Sequence, residues 1–327
     1  MENNHLVFIL VAIITFGLTA GILVKLIPIL KRKASQPIYL DGPEWHASKS
    51  GTPTMGGLAF LIAITVALLG SVLFLALDGF EKPATSLLLC LGFTILNALI
   101  GLIDDLTKIR RKENAGLSPL QKLGLQSISA ILLLIGRAYL IGGCEEIVFG
   151  FGSVDFGSIY YPLAFIMLIA TVNSANLTDG VDGLASSVAF AIATSLMYLS
   201  LNTSPEVFLI SSATIGATVA FLIFNLHPAK IFMGDTGSLL LGALVSSSAI
   251  ALGNPLIIIF LGGVYLIEAI SVIMQVVVFK VTGKRVFKMA PLHHHLERSG
   301  LSEMTICIVA ILATFVLSIP AMMMYLS

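Results

Sequence analysis

Charge is scarce in this sequence: of 327 residues only 11% are Asp, Glu, Lys or Arg, while 57% are hydrophobic. Soluble domains carry about 25% charged residues, so this chain cannot clothe itself in a water-facing surface, and an integral membrane protein is the class that fits. It also lacks any excess of positive charge, with a formal net charge of +0, which argues against nucleic acid as a partner. Cysteine is sparse as well. Cys90, Cys144 and Cys307 stand singly, with neither metal-ligand spacing nor a disulfide framework, and read as small packing residues. No low-complexity tract, no linker and no inverted repeat of the transporter kind interrupts the chain, so residues 1–327 read as a single transmembrane domain. The pattern of a secretory leader is missing too. Such a leader has its positive charges before the apolar run, whereas Lys31, Arg32 and Lys33 follow it, as behind a retained first helix.

What the sequence does have is long apolar runs. A spanning helix takes about 20 mostly apolar residues. On that basis the spans fall at 5–30, 54–77, 85–103, 118–137, 159–175, 184–201, 207–225, 238–253, 256–279 and 302–326. Ten spans place both termini on the outer side. Apart from Lys82 and Arg137, the lysines and arginines then lie in inner loops or at inner helix ends, as the positive-inside rule requires. The outer stretch 142–161, GGCEEIVFGFGSVDFGSIYY, alternates apolar and polar residues around Gly-Ser and Asp and predicts a short β-hairpin. Gly262 and Gly263 predict a broken or tilted ninth span, with Glu268 facing a packed interior.

The few charges are not scattered. Asp104 and Asp105 end the third span in LIDDLTK, Asp179 and Asp182 follow the fifth in NLTDGVDGLA, and Asp235 follows the seventh in FMGDTGS. His293, His294 and His295 follow the ninth in PLHHHLE. Odd-numbered spans run from outside to inside, so all these clusters emerge on the cytoplasmic face. Each has an ordinary reading. Asp104 and Lys108, four apart, could form a solvated helix pair, Asp-Thr-Gly-Ser could be an N-cap, and NLTDGVDG could be a turn. Three consecutive histidines on a helix would fan out by about 100° each and could not share one metal. SKSGTPTMGG adds Lys49, a point charge for phosphate, and the hydroxyls of Thr52 and Thr54 on the same face. Taken together, these residues are the ingredients of Mg²⁺-dependent chemistry on a phosphorylated substrate. The rival reading, an ion-coupled transporter, would hold its acids near the bilayer midplane rather than at helix ends.

GTPTMGG, DDLTK, NLTDGVDGLA, FMGDTGS and PLHHHLE, in this order, resemble the phospho-N-acetylmuramoyl-pentapeptide-transferase family of the polyprenyl-phosphate N-acetylhexosamine-1-phosphate transferase superfamily. The resemblance covers nearly the whole chain. It implies an all-α polytopic enzyme of the bacterial plasma membrane, with its site facing the cytoplasm. Such an enzyme moves phospho-MurNAc-pentapeptide from UDP-MurNAc-pentapeptide to undecaprenyl phosphate, with Mg²⁺ as cofactor and a homodimer as its assembly. By motif, Asp235 is implied as the Mg²⁺ ligand, and Asp104 as the base or orienting group for the lipid phosphate, with Asp105 beside it. Lys49, Lys108 and Lys122 are implied as cations that bring the two oxyanions together. Asn176, Asp179 and Asp182 are implied to hold the nucleotide and pyrophosphate, Phe232 to stack on uracil, and the three histidines to contact the sugar-phosphate. Thr54, Asn173, Asn225 and Gly234 complete the implied substrate-binding set. Direct attack by the lipid phosphate is the expected route, with an aspartyl-phosphate route as the alternative. A sister enzyme using UDP-N-acetylglucosamine is the alternative within the superfamily.

Overall fold

The computed structural model describes residues 5–33, 49, 51–111, 116–143, 145–149 and 152–326. Cys144, residues 112–115, the turn of the expected hairpin (150–151), and Ser48 and Ser50 of SKSG lie outside the described residues. The chain folds as α1 (His5–Lys33), α2 (Gly57–Leu77), α3 (Glu81–Arg111), α4 (Pro119–Leu140), β1 (Glu146–Phe149), β2 (Gly152–Asp155), α5 (Tyr160–Thr178), α6 (Leu184–Ser200), α7 (Pro205–Asn225), α8 (Gly234–Ala251), α9 (Ile258–Leu261), α10 (Gly263–Thr282), α11 (Leu292–Glu297) and α12 (Glu303–Leu326). Eight of these helices are long and apolar enough to cross a membrane. The expected sixth and eighth spans, α6 and α8, fall outside that set. The first is only 17 residues long and the second is rich in Gly and Ser.

The reason is their position. α6, α7 and α8 form the centre of the bundle, and every residue of α8 from Thr236 to Ile250 is buried. A helix surrounded by other helices needs no lipid-facing apolar stripe, and small residues let its neighbours approach closely. A Cβ on Gly242 would lie 2.8 Å from Cα of Val172 in α5. The hydroxyls of Ser246 and Ser248 bond back to carbonyls four residues earlier, so they need no partner across the interface. The outer helices are the reverse. Ile9 and Ile13 of α1, Ile128 and Leu132 of α4, Ile273 and Val277 of α10, and Leu312 and Val316 of α12 are all exposed. This inside-out distribution is what a hydrocarbon solvent demands.

Local sequence sets the ends. α4 starts with a capping box, in which Ser118 Oγ accepts from the Gln121 N–H at 3.3 Å and Gln121 Oε1 from the Ser118 N–H at 3.0 Å, with Pro119 in the first turn. The helical run after α8 breaks at Gly262, between the short α9 and α10. Glu268, one turn into α10, is buried. β1 and β2 pair antiparallel, from Glu146 with Asp155 to Phe149 with Gly152. Asn254, just beyond α8, donates to the Val148 carbonyl at 3.0 Å. The hairpin therefore sits at the C-terminal end of α8, a helix length of about 27 Å from its N-terminus.

Candidate functional site

At the N-terminal end of α8 the acids meet. Asp104 and Asp105, near the C-terminal end of α3, have their carboxylates beside that of Asp235, in the first turn of α8, and one oxygen from each lies within 4.8 Å of the others. The approach depends on Gly101, one turn earlier in α3, where a Cβ would fall 2.2 Å from the Asp235 carbonyl oxygen. Any side chain there would push α3 away from α8. A second glycine contact, Gly57 against Gly237, brings the GTPTMGG segment onto the same helix start, and backbone bonds from Gly56 and Gly57 to the carbonyls of Phe232 and Met233 fix it there at 2.8 and 2.9 Å.

The two adjacent aspartates have different surroundings. Asp105 caps α8, accepting from the backbone N–H of Asp235 and of Thr236, each at 3.0 Å, and from the Thr236 hydroxyl at 2.6 Å. Asp104 turns toward two lysines, Lys108 at 2.7 Å and Lys122 at 3.4 Å, and accepts the Leu117 N–H at 2.8 Å. Asp235 shares both lysines, at 3.3 Å to Lys108 and 2.6 Å to Lys122. Asn176 of α5 donates to Asp235 at 3.0 Å and to Ser238 at 2.8 Å. Asp104, Lys108, Lys122, Asn176 and Asp235, with Asp179, Arg111 and Gln121, line a cavity of about 690 Å³, while Asp105 stands behind it. Asp179, at the end of α5, has its carboxyl held well above the usual range, first by burial and then by the charges of Asp235, Asp105 and Asp182. The donor set is suited to a hard divalent cation, being carboxylate oxygens from three positions with an amide alongside. Asp104 and Asp235 face lysines that can give way to such a cation, whereas both oxygens of Asp105 are engaged by the helix start.

Other expected site residues lie around this centre rather than in it. Lys49 and Asp182 form a second cluster. Lys49 Nζ lies 2.7 Å from Asp182 Oδ1 and 2.7 Å from Glu303 Oε2, and His227 Nδ1 lies 3.1 Å from each of the two carboxylates. Asn225 ties the neighbouring loops together, accepting from the Gly183 N–H at 3.0 Å and donating to the Ile231 carbonyl at 2.8 Å. Asn173, one turn back along α5 from Asn176, bonds to Gln126 of α4 at 2.8 Å. Thr54 is buried, Gly234 takes a positive φ of 70° at the start of α8, and Phe232 is half-buried. The histidines stand on the short α11 and have separate partners, although the rings of His293 and His294 meet edge-on with centroids 4.2 Å apart. His293 is buried with Nδ1 3.1 Å from Glu268, and its ring packs against Gly180. His294 Nδ1 lies 2.7 Å from Glu297, and His295 Nδ1 accepts the Lys288 N–H at 3.1 Å.

Sequence reasoning missed Arg111, Gln121, His227 and Glu303. The signal for Gln121 was present in the capping-box spacing. His227 and Glu303 carry none, because their partners are far away in the chain.

Residues 87–253 match Glycosyl transferase family 4, and residues 49–61 match the phospho-N-acetylmuramoyl-pentapeptide-transferase signature 1. With the eight long apolar helices and the acid–lysine cavity, this defines a membrane protein of the phospho-sugar transferase class. The chain is 44% identical over 295 residues to a phospho-N-acetylmuramoyl-pentapeptide-transferase of Clostridium botulinum, covering 90% of this chain and 89% of that one. It is 43% identical over 300 residues to one of Halalkalibacterium halodurans, covering 91% of each. A third, of Heliobacterium modesticaldum, is 44% identical over 286 residues, covering 86% of each. The chain belongs to the phospho-N-acetylmuramoyl-pentapeptide-transferase family.

Proposed function

We propose that the chain transfers phospho-MurNAc-pentapeptide from UDP-MurNAc-pentapeptide to undecaprenyl phosphate, giving undecaprenyl-diphospho-MurNAc-pentapeptide (lipid I) and UMP. What carries the reading is the arrangement of two carboxylates and two lysines, Asp104, Asp235, Lys108 and Lys122, around one cavity at the end of an apolar bundle. A diphosphate and a lipid phosphate repel each other, and cations near both are needed before an oxygen of one can reach the phosphorus of the other. Lys108 and Lys122 each already bridge two carboxylates, so both can exchange one acid for a phosphate oxygen without leaving the site.

In this reading an oxygen of the lipid phosphate attacks the sugar-linked phosphorus, the bond to the bridging oxygen breaks, and UMP leaves with the electron pair. Asp104 orients the lipid phosphate and takes its proton where it carries one. Asp235, with Asn176 holding its other oxygen, is the proposed ligand for Mg²⁺. The cation, when bound there, neutralises charge on the pyrophosphate. Asp105 holds the start of α8, and hence Asp235, in place. Asn173, Asn176, Asp179, Asp182, Asn225 and Gly234 shape the nucleotide and pyrophosphate side, where Lys49 and Thr54 face the same substrate. Phe232 stacks on uracil. His294 and His295 contact the sugar-phosphate, and His293 supports the NLTDGVDG loop through Gly180.

We further infer ten spanning helices, α6 and α8 included, with α9 and α10 as one interrupted span. Both termini lie outside and the acids face the cytoplasm, where the soluble nucleotide sugar is found. The hairpin, at the opposite end of α8, then caps the outer face. A single catalytic domain acting as a homodimer in the bacterial plasma membrane completes the proposal. The test is substrate choice. Purified protein with undecaprenyl phosphate and Mg²⁺ is expected to release UMP from UDP-MurNAc-pentapeptide and not from UDP-N-acetylglucosamine. The opposite preference would assign it to the sister activity, and UMP release from neither would refute the transferase reading.

A further inference from the structure

Glu303, the first residue of α12, makes three contacts that the proposed chemistry leaves unexplained. Its Oε2 lies 2.7 Å from Lys49 Nζ and accepts the backbone N–H of Asp182 at 2.8 Å, while Oε1 lies 3.1 Å from His227 Nδ1. One carboxylate thus gathers residues from the segment before α2, the loop between α5 and α6, and the loop between α7 and α8. The cluster is closed on itself. Asp182 Oδ1 also binds Lys49 at 2.7 Å, and Asp182 Oδ2 takes the Ala229 N–H at 3.0 Å and faces His227 at 3.1 Å. Side-chain exposure is 15% for Lys49, 2% for Asp182 and 12% for Glu303, so solvent screens the two Lys49 pairs poorly, while His227, at 50%, stays open to solvent. The Glu303 carboxylate does not turn back to cap α12; Ser302 accepts the Thr305 N–H there instead, at 3.2 Å.

We propose that Glu303 is a positioning residue for the nucleotide sugar. It fixes where the Lys49 ammonium points and holds the Asp182 end of NLTDGVDG in register with Asp179 and Asn176 at the cavity. The inference rests on the proposed reading of Lys49 and Asp182 as groups that meet the nucleotide sugar. Glu303 reaches that substrate only through them. Asp104, Asp235, Lys108 and Lys122 lie outside its contacts, so the chemical step and the lipid phosphate are unaffected by it.

The experiment uses the full-length protein and the variant Glu303→Gln. A glutamine can still accept the Asp182 N–H through its amide oxygen, but it lacks the negative charge that pairs with Lys49. Loss of one charge-assisted contact is expected to raise KM for UDP-MurNAc-pentapeptide about tenfold and to weaken its equilibrium binding, measured by calorimetry, by a similar factor. The kcat, the KM for undecaprenyl phosphate and the Tm should stay close to wild type. Lys49→Ala added to Glu303→Gln should cost less than Lys49→Ala alone, because the two act through one contact. A fall in kcat with unchanged KM, additive effects in the double variant, or a drop in Tm with unaltered binding would each overturn the proposal. If Glu303→Gln does not fold, Glu303→Asp, which keeps the charge but shortens its reach, must show the same selective rise in KM. Calorimetry keeps this separate from the transferase reading. A wild-type protein that binds the nucleotide sugar but releases no UMP would sink that reading, while the binding loss in Glu303→Gln would still judge the positioning role.

Discussion

Two polar clusters lie at the same end of the bundle, built from the same residue types and wired differently. In the first, the partners of the Asp235 carboxylate are side chains, Lys108, Lys122 and Asn176, and the group borders a cavity of about 690 Å³. In the second, Asp182 and Glu303 each accept a backbone N–H, from Ala229 and from Asp182 respectively, and a single ammonium is held between them. Flexible side chains can pass a charge to an incoming phosphate. Contacts to backbone pin a loop. The first cluster is therefore the place for chemistry, and the second for holding the loops that present the substrate. Asp104 and Asp105 repeat the contrast in part, Asp104 facing two lysines beside a single backbone N–H from Leu117 and Asp105 sealing a helix start.

The sharpest way to break this comparison is at Asp235. Asp235→Ala should reduce kcat/KM at least about a thousandfold, roughly 4 kcal/mol of lost transition-state stabilisation, with Tm close to wild type. A folded variant with near-normal turnover would move the chemistry elsewhere. Asp105→Asn should show itself mainly in stability, because the amide can replace only part of three hydrogen bonds at α8. A loss of about 1–3 kcal/mol is expected in thermal unfolding. Lys49→Ala should raise KM for the nucleotide sugar about tenfold while membrane insertion and yield stay normal. A change in yield alone would contradict its proposed role. The smallest effect is at Asp179. Its carboxyl is held above the usual range, so the fold favours the protonated form, and the penalty on the ionised form grows as pH rises through that raised value. Asp179→Asn should therefore raise Tm relative to wild type, with the difference widening from acidic to alkaline pH. A difference that narrows with rising pH would contradict this.

Much of this was legible in the sequence, for physical reasons that differ from residue to residue. Apolar length is read directly from the chain, so α1–α5, α7, α10 and α12 were visible as spans, and Gly262 marked the break before α10. α6 and α8 were visible as apolar segments, but nothing in their composition said that they would be central. The meeting of Asp104 with Asp235 followed from placing both at helix ends on one side. Adjacent letters could not say that Asp105 would turn to α8 and Asp104 to the lysines, since that depends on the 100° step between them and on where α8 lies. Lys49 and Asp182 stood out by their motifs, yet their grouping with His227 and Glu303 did not. Those contacts join segments brought together only by packing, and no spacing rule encodes them. The histidines sit on a helical turn, but the rings of His293 and His294 meet edge-on with centroids 4.2 Å apart, closer than a 100° step suggests. Their separate partners, Glu268, Glu297 and the Lys288 N–H, were beyond a sequence reading.

The most direct measurement is UMP release by purified full-length protein in detergent with UDP-MurNAc-pentapeptide and Mg²⁺, with and without undecaprenyl phosphate. The account predicts that wild type releases UMP only when the lipid phosphate is present, and that folded Asp104→Asn and Asp235→Ala variants release almost none. Stoichiometric UMP with a phosphosugar trapped on the protein in the absence of lipid, or wild-type rates in either variant, would contradict it.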